Sequence, residues 1–189
     1  GEKFHVGDRI KVLVKRVRDS VGGTQVILSR ASYVFIKRLF ENEVPEIRAD
    51  IVQIKGIVRE AGFRTKMAVY STDPEIDPVG ACVGTKGARV NAIVSEIGGE
   101  KIDIITYSDK PEEFIAKSLA PSEVLSVTLA EDGSKSCTVI VPDSQLSLAI
   151  GNKGQNAKLA AKLTGYKIDI NSESGAKSVP EQPAAADGE

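Results

Sequence analysis

Two short glycine–lysine turns hold the residues of this sequence that are best suited to bind a charged partner. They read Gly84-Thr85-Lys86-Gly87 and Gly151-Asn152-Lys153-Gly154, and each directly follows an apolar residue. After each turn comes a helical pattern and then the same four residues, Lys-Ile-Asp-Ile, beginning at Lys101 and at Lys167. Repetition at a near-constant spacing sets the size of a repeating unit. The sequence therefore predicts one small domain that is used twice.

The chemistry of such a turn favours phosphate groups. Glycine has no Cβ atom, so the backbone can turn tightly and approach a partner closely. A helix that begins at the second glycine leaves its first N–H groups unpaired and carries a partial positive charge at that end. The lysine adds a full charge beside them, and together these groups attract a phosphate backbone. One such match is a weak signal, whereas two copies with the same continuation are a much stronger one.

The composition is that of an ordinary globular chain, with 41% hydrophobic and 27% charged residues among 189. Aromatic residues make up only 5% and Trp is absent, so stacking on aromatic rings cannot be the main way of binding bases. The net charge is −1, but positive charge is concentrated in residues 1–40. This asymmetry indicates either a surface that faces nucleic acid or a solvated basic face.

Several function classes lack the residues that they need. His5 is the only histidine, and Cys82 and Cys137 stand apart from any metal-binding spacing. We therefore expect no enzymatic activity, no metal and no cofactor, and we expect both cysteines to be buried apolar residues. The sequence has neither an apolar run of about 18 residues nor the pattern of a signal peptide, so we expect no membrane contact and a cytoplasmic location. We also expect a monomer.

The hydrophobic pattern predicts an α+β architecture. Alternation over Arg9–Ser29 indicates a hairpin whose first strand is half-buried, and the stripe in Ser32–Asn42 indicates a helix that connects it to the first repeat. Each repeat then has two strands, a helix, the glycine turn, a second helix and a third strand, which gives a two-layer domain. The short linker Tyr107–Pro111 predicts a fixed relation between the repeats and one continuous surface. The predicted divisions are a hairpin in 1–30, a connector helix in 31–47, domains in 48–109 and 110–172, and a disordered tail in 173–189.

This pattern resembles the K-homology (KH) RNA-binding domain, and its order of elements resembles the type II variant. The stretches 77–84 and 145–151, together with Glu43-Val44-Pro45-Glu46-Ile47, further resemble the NusA family of bacterial transcription elongation, termination and antitermination factors. The resemblance runs from about Val6 to Asn171. It implies two tandem type II KH domains, each a three-stranded sheet with helices on one face. It further implies that the hairpin before them corresponds to the last strands of a truncated S1-like domain.

The resemblance implies RNA-binding residues at matching positions. These are Gly84, Thr85, Lys86, Gly87 and Arg89 in the first copy, and Gly151, Asn152, Lys153, Gly154, Gln155, Asn156 and Lys158 in the second. The lysines suit phosphate contacts, while Gln155 and Asn156 could reach base edges or a 2′-OH. The partners that the resemblance implies are single-stranded nascent RNA and, for the full-length protein, RNA polymerase and other antitermination factors. It further implies a role in pausing, termination and antitermination.

Two alternatives remain open at this stage. Gly80 and the first turn partly resemble a P-loop, but Gly87 stands where that motif needs Ser or Thr, and the turn joins two helices rather than a strand and a helix. In the other alternative the chain is a protein-interaction scaffold whose glycine turns are purely structural. The acidic balance of charge after residue 40 would suit that role for part of the surface.

Overall fold

The computed structural model describes residues 2–177. It contains one two-stranded sheet and two three-stranded sheets, with helices between the strands. The strands are β1 (Leu13–Ser20), β2 (Gly23–Ser29), β3 (Val52–Glu60), β4 (Arg64–Ser71), β5 (Lys101–Thr106), β6 (Ser126–Leu129), β7 (Ser136–Val141) and β8 (Lys167–Ser172). The helices are α1 (Tyr33–Glu43), α2 (Pro45–Arg48), α3 (Pro78–Val83), α4 (Ala88–Glu96), α5 (Pro111–Ser118), α6 (Leu146–Ile150), α7 (Gln155–Thr164) and α8 (Glu173–Lys177). Among these helices of residues 2–177, none has both the length and the apolar character that crossing a membrane requires.

The hairpin of β1 and β2 is antiparallel, as predicted, but it is shorter and more exposed. Its pairing begins at Leu13 rather than at Arg9. The predicted half-burial of the first strand is wrong, since Val14 and Val17 are 56% and 57% exposed. A two-stranded ribbon has no second layer over its apolar face, and periodicity in the sequence cannot reveal that.

Arg30 ties the end of the hairpin to the first repeat. Its guanidinium donates a 3.0 Å hydrogen bond to the carboxylate of Glu96 and another of 3.0 Å to Glu2. The Cζ atom also lies 5.0 Å from the centroid of the Phe35 ring, which is the geometry of a cation–π contact. The hairpin is thus anchored through one residue that makes both charged and aromatic contacts.

The two repeats have the same sheet topology. In the first, β3 runs antiparallel to β4 and β5 runs parallel to it, and in the second β6, β7 and β8 repeat that arrangement. Two strands precede the helix–turn–helix unit and one follows it, which confirms two tandem type II KH folds. We call them the first domain (strands β3–β5) and the second domain (strands β6–β8). The identical topology explains why the short motifs recur at a constant spacing.

Each domain has its own apolar core between its sheet and its helices. The first core includes Met67, Val69, Cys82 and Ile97, and the second includes Val139 and Ala160. Burial raises the pKa of the Cys82 thiol to about 12. Cys82 is therefore an inert core residue, and Cys137 is likewise buried, as the sequence predicts.

Helix α1 is part of the core of the first domain as well as the link to the hairpin. Ser32 caps it by accepting a 3.2 Å hydrogen bond from the N–H of Val34. Its apolar stripe is buried against the sheet, and Ile36 and Phe40 are fully inaccessible to solvent. Because α1 fills this core, removing it would expose the apolar face of β3 and β4.

Helix α7 of the second domain covers the outer face of the first sheet. Met67 and Val69 face the helices of the first domain, so their neighbours Lys66 and Ala68 point the other way, and both are fully buried. On that side α7 lies against β3 and β4. The first sheet therefore has helices on both faces, because the second domain supplies the outer layer.

The predicted tail begins with ordered structure. Residues Glu173–Lys177 form α8, and the N–H of Ser174 donates a 3.0 Å hydrogen bond to the side chain of Asp143. The prediction of disorder is thus wrong for residues 173–177, because a contact distant in the sequence holds them. The rest of that predicted tail, 178–189, lies outside the described residues.

Candidate nucleic-acid interface

The two glycine–lysine turns have the same backbone conformation. We call Gly84–Gly87 the first loop and Gly151–Gly154 the second loop. The leading glycines have φ and ψ of 75° and 171° in the first loop and 76° and 170° in the second. The lysines follow at 52° and 28° and at 52° and 27°. The closing glycines differ most, with ψ of 12° against 17°. One loop geometry is therefore built twice, and the two loops differ in residue type only at Thr85 and Asn152.

Positive φ angles explain the residue types in these loops. A residue with a Cβ atom is disfavoured there, and glycine stands at all four positions with positive φ in the two loops other than the lysines. Lys86 and Lys153 occupy the left-handed region as well, where residues other than glycine are uncommon. Such a conformation is retained at a cost, and residues of this kind cluster at functional sites.

The two central residues of each loop are exposed. Thr85 and Lys86 reach solvent in the first loop, as do Asn152 and Lys153 in the second. Helices α4 and α7 begin immediately after the closing glycines, and no side chain caps either N-terminus. Exposed lysines, a free helix end and a glycine backbone are thus brought together in both domains, as the sequence predicts.

Arg89 and Asn156 stand at the same distance after the leading glycine, and both hold the preceding helix. Arg89 donates to the carbonyl of Ala81 in α3 (2.6 Å) and to the carboxylate of Glu46 (3.0 Å). Asn156 donates to the carbonyls of Ala149 in α6 (2.9 Å) and Leu119 (3.0 Å). Each residue therefore links the two helices that flank its loop.

Burial removes Asn156 from the candidate RNA contacts. Only 1% of its surface is exposed, so its amide cannot meet a base edge or a 2′-OH in this structure. Its Oδ1 atom has no hydrogen-bond partner among the described residues. The residue type suggested a role in recognition, but tertiary packing assigns Asn156 to the interior. Arg89 is half-buried and retains an accessible part.

The second loop has more positive charge around it than the first. Lys158 is exposed on the first turns of α7, and its Nζ donates a 3.2 Å hydrogen bond to the carbonyl of Lys153. Lys162 is exposed further along the same helix. In the first loop, by contrast, the charge of Arg89 is paired with Glu46. The electrostatic attraction for an anionic chain is therefore concentrated at the second loop.

A cleft lies between the second loop and the first domain, and the sequence did not predict it. Its walls include Phe63 from the β3–β4 turn together with Gln155 and Lys162 from α7. Gln155 donates a 2.9 Å hydrogen bond to Glu60 across the cleft. The one signal of this cleft in the sequence was an aromatic residue, Phe63, next to the turn glycine Gly62.

Comparison with known proteins agrees with this geometry. A family model of the NusA-like first KH domain matches residues 30–107, and one of the NusA-like second KH domain matches residues 111–178. The transcription termination/antitermination protein NusA of Bacillus subtilis is 55% identical over 176 residues, which cover 93% of this chain and 47% of that protein. The protein of the same name from Thermus thermophilus is 48% identical over 167 residues, covering 88% and 43%. The chain thus spans about half the length of the curated relatives it matches.

A solved structure supports the fold alone. The crystal structure of APE1850 has a TM-score of 0.53 to this chain at 21% sequence identity, and the match covers 73% of this chain and 96% of that one. Similarity at this level shows that the two chains share an architecture, and it carries no information about function.

These observations define a tandem KH protein, with two domains of one topology and two loops of one geometry. The chain belongs to the NusA family, whose first and second KH domains it contains. The relatives described above are named as transcription termination/antitermination proteins rather than as enzymes, which supports the prediction that the chain has no enzymatic activity. The boundaries 48–109 and 110–172 stay predictions, and the matched ranges place α1 with the first domain.

Proposed function

We propose that the chain binds single-stranded RNA through the first and second loops, acting as a non-catalytic module. The observation that carries this proposal is the recurrence of one strained loop geometry with an exposed lysine at the same position. A KH loop of this type clamps the backbone of four nucleotides. The proposed contacts are the loop residues, with Lys158 and Gln155 beside the second loop and Arg89 beside the first.

Two linked loops should bind far more tightly than one. A single loop makes few contacts, whereas tethering two can raise the affinity by about 10²–10⁴ when one strand reaches both. The packing of α7 on the first sheet supports this view, because it holds the two domains in a fixed relation. We infer that one RNA strand crosses both domains on one continuous surface.

In the full-length protein, this surface would contact the nascent transcript. The relatives are named as transcription termination/antitermination proteins, and the nascent transcript is a single strand that such a factor would meet. We propose that RNA polymerase and other antitermination factors are the partners there, and that RNA binding modulates pausing, termination and antitermination. A cytoplasmic monomer would suit this role.

Charge reversal in each loop tests the RNA proposal. The variants are Lys86→Asp, Lys153→Asp and the double variant, because Asp tolerates the left-handed conformation better than most residues. Lys135→Asp is the charge-matched control, since Lys135 is an exposed lysine on a hairpin turn. Fluorescence anisotropy with a single-stranded RNA of about twelve nucleotides would give the affinities, a length that two four-nucleotide clamps and a connection require.

We expect each loop variant to weaken binding about 10²-fold or more through loss of the linked second site. The double variant should abolish binding, and Lys135→Asp should bind like the wild type. The logarithm of the wild-type affinity should fall with that of the salt concentration, with a slope of about −0.7 per phosphate contacted. Equal binding by all variants, or none by the wild type, would leave the protein-interaction scaffold as the better explanation.

A further inference from the structure

The cleft between the two domains combines an aromatic ring with positive charge. We call it the interdomain cleft; it lies between the β3–β4 turn and the second loop with α7. Its volume is about 590 Å³, within the range of sites that hold a small organic molecule. Phe63 stands on one wall, and Lys153, Lys158 and Lys162 stand on the other.

The ring of Phe63 is exposed on a turn that is held firmly in place. Its N–H donates to the carbonyl of Glu60 (3.0 Å), and its own carbonyl accepts from the N–H of Lys101 (3.2 Å). Phe63 nonetheless leaves 65% of its surface in solvent. A rigid apolar surface of this kind can bind a flat partner with little loss of conformational freedom.

A buried ion pair in the first domain holds the β3–β4 turn in place. Glu100 lies 2.9 Å from Arg59 and also accepts a 2.8 Å hydrogen bond from the N–H of Gly62, the neighbour of Phe63. Both partners are almost completely buried. The backbone position of the turn that carries Phe63 is therefore set by the core of the first domain.

Hydrogen bonds also hold the wall of the interdomain cleft that lies opposite the ring. Gln155 donates to Glu60 across the interdomain cleft (2.9 Å), and Lys158 donates to the carbonyl of Lys153 (3.2 Å). The second of these bonds keeps the ammonium group of Lys158 close to the second loop. The ring and the charges therefore face the same space.

The internal duplication shows that this arrangement is specific to the boundary between the domains. Lys135 occupies the position of Phe63 in the second domain, because its carbonyl likewise accepts a hydrogen bond from the first residue of the last strand, Lys167 (2.8 Å). Within the described residues, no glycine–lysine loop of a following domain faces that turn. The aromatic residue occurs at the copy that does face such a loop.

We propose that the interdomain cleft is an additional nucleotide subsite, in which Phe63 stacks on one base and the lysines contact the adjoining phosphates. The inference rests on the RNA binding proposed above and assigns a position to a nucleotide next to the segment that the second loop clamps. A nucleotide matches both walls because it joins a flat aromatic base to a negative charge. An acidic peptide would match the lysines but would leave the ring without a flat partner.

A tryptophan probe tests the stacking directly. The chain contains no Trp, so Phe63→Trp introduces a single indole fluorophore into the cleft. Adding the single-stranded RNA of about twelve nucleotides should quench its emission. Lys135→Trp places the same fluorophore on the equivalent turn of the second domain, where the emission should stay unchanged. A Phe63→Trp signal that responds to polyglutamate but not to RNA would overturn the proposal in favour of a protein partner.

Affinity measurements separate stacking from simple apolar contact. Phe63→Ala should weaken RNA binding about 5- to 150-fold, the range for loss of one base–aromatic stack. Phe63→Leu should lose nearly as much, whereas Phe63→Tyr should retain the affinity. Circular dichroism would verify the fold, which should be unaffected because the side chain is exposed.

The failure of this inference can be told apart from failure of RNA binding as such. Suppose that the wild type binds RNA and the loop variants weaken it, but Phe63→Ala binds normally and Phe63→Trp is not quenched. The nucleotide subsite would then be wrong while the RNA function stands. If the wild type does not bind RNA at all, both proposals fail together.

Discussion

Lys66 and Asp103 form a 2.9 Å ion pair on the face of the first sheet that the second domain covers. Lys66 is fully buried, and its Nζ also donates a 2.7 Å hydrogen bond to the carbonyl of Ala120, which lies just after α5. Arg64 adds a second charged contact to Asp103 (2.7 Å). One carboxylate thus connects two strands of the first domain, and its lysine partner reaches the backbone of the second.

Asp103→Asn should destabilise the protein strongly. The substitution leaves the Lys66 ammonium buried without its counter-charge, which typically costs about 3–5 kcal/mol of unfolding free energy. Urea unfolding monitored by circular dichroism would measure it. Asp169→Asn is the matched control, because Asp169 has the same place in the second Lys-Ile-Asp-Ile but is exposed. It should change stability by less than about 0.5 kcal/mol, and equal losses in both variants would contradict the assignment.

Acid should weaken the first domain through Glu100 and Asp103. Burial alone would raise the pKa of Glu100, but hydrogen bonds from Arg59, Thr65 and the N–H of Gly62 outweigh it and hold that pKa below its ordinary value. Burial likewise opposes ionisation of Asp103, yet Arg64 and Lys66 hold its pKa low. A folded-state pKa below the unfolded one means that the stabilisation is fully present above the unfolded pKa, and is lost as the pH falls through the folded value.

We therefore expect the free energy of unfolding to fall with pH below about 4, the ordinary range of carboxyl groups. A urea titration at a series of pH values would measure this fall. Glu100→Gln should be less stable at neutral pH and should lose less on acidification, because one titrating group has been removed. A slope for Glu100→Gln as steep as that of the wild type would show that Glu100 contributes nothing to it.

The leading glycines of the two loops should differ in their tolerance of a Cβ atom. An added Cβ on Gly151 would lie 2.8 Å from the backbone nitrogen of Asn156, whereas on Gly84 it would lie 2.7 Å from Cγ of the flexible Arg89 side chain. Backbone cannot move aside as a side chain can. Gly151→Ala should thus cost the more, about 3 kcal/mol given the disfavoured backbone conformation.

Gly165→Ala provides the control for backbone conformation alone. Gly165 also has a positive φ, but an added Cβ there meets nothing within 4 Å. Its cost should be about 1 kcal/mol, from the left-handed conformation. Destabilisation should be smallest for Gly165→Ala, larger for Gly84→Ala and largest for Gly151→Ala. Chemical denaturation of the three variants would check this order. A reversed order of the two loop variants would mean that Asn156 moves more readily than Arg89.

Gly56→Val should separate the two domains while leaving each folded. A Cβ atom on Gly56 would lie only 3.0 Å from Cδ1 of Leu163, and the two further methyl groups of valine would crowd this contact with α7 more severely. NMR relaxation should then show the domains tumbling separately. RNA affinity should fall about 10²-fold or more, because the two loops would no longer be held in a fixed arrangement for one RNA strand. Thr128→Val, on an exposed strand position of the second sheet, should change neither. Joint tumbling with undiminished affinity in Gly56→Val would show that this contact does not set the domain arrangement.

The sequence by itself determined the local features of this protein. Glycines at positive φ, helical stripes and alternating strands depend on residues close together in the chain, so the two loops, the order of elements and the duplication could be predicted from them. The exposed lysines of the loops, Lys86 and Lys153, lie where the pattern places them. The resemblance to the type II KH domain rests on these same short motifs and on the order of the elements.

Only the tertiary structure decided which of the repeated residues are buried. Asp103 and Asp169 have the same local sequence. Helix α7 packs on the first sheet, on the side where Asp103 lies, whereas Asp169 in the second sheet is exposed. The same packing places Asn156 in the interior and sets Phe63 opposite the second loop. Burial depends on which surface a distant segment covers, and that information is not present in the spacing of neighbouring residues. A repeated motif therefore fixes a repeated conformation, while the environment of each copy is set by the contact between the domains.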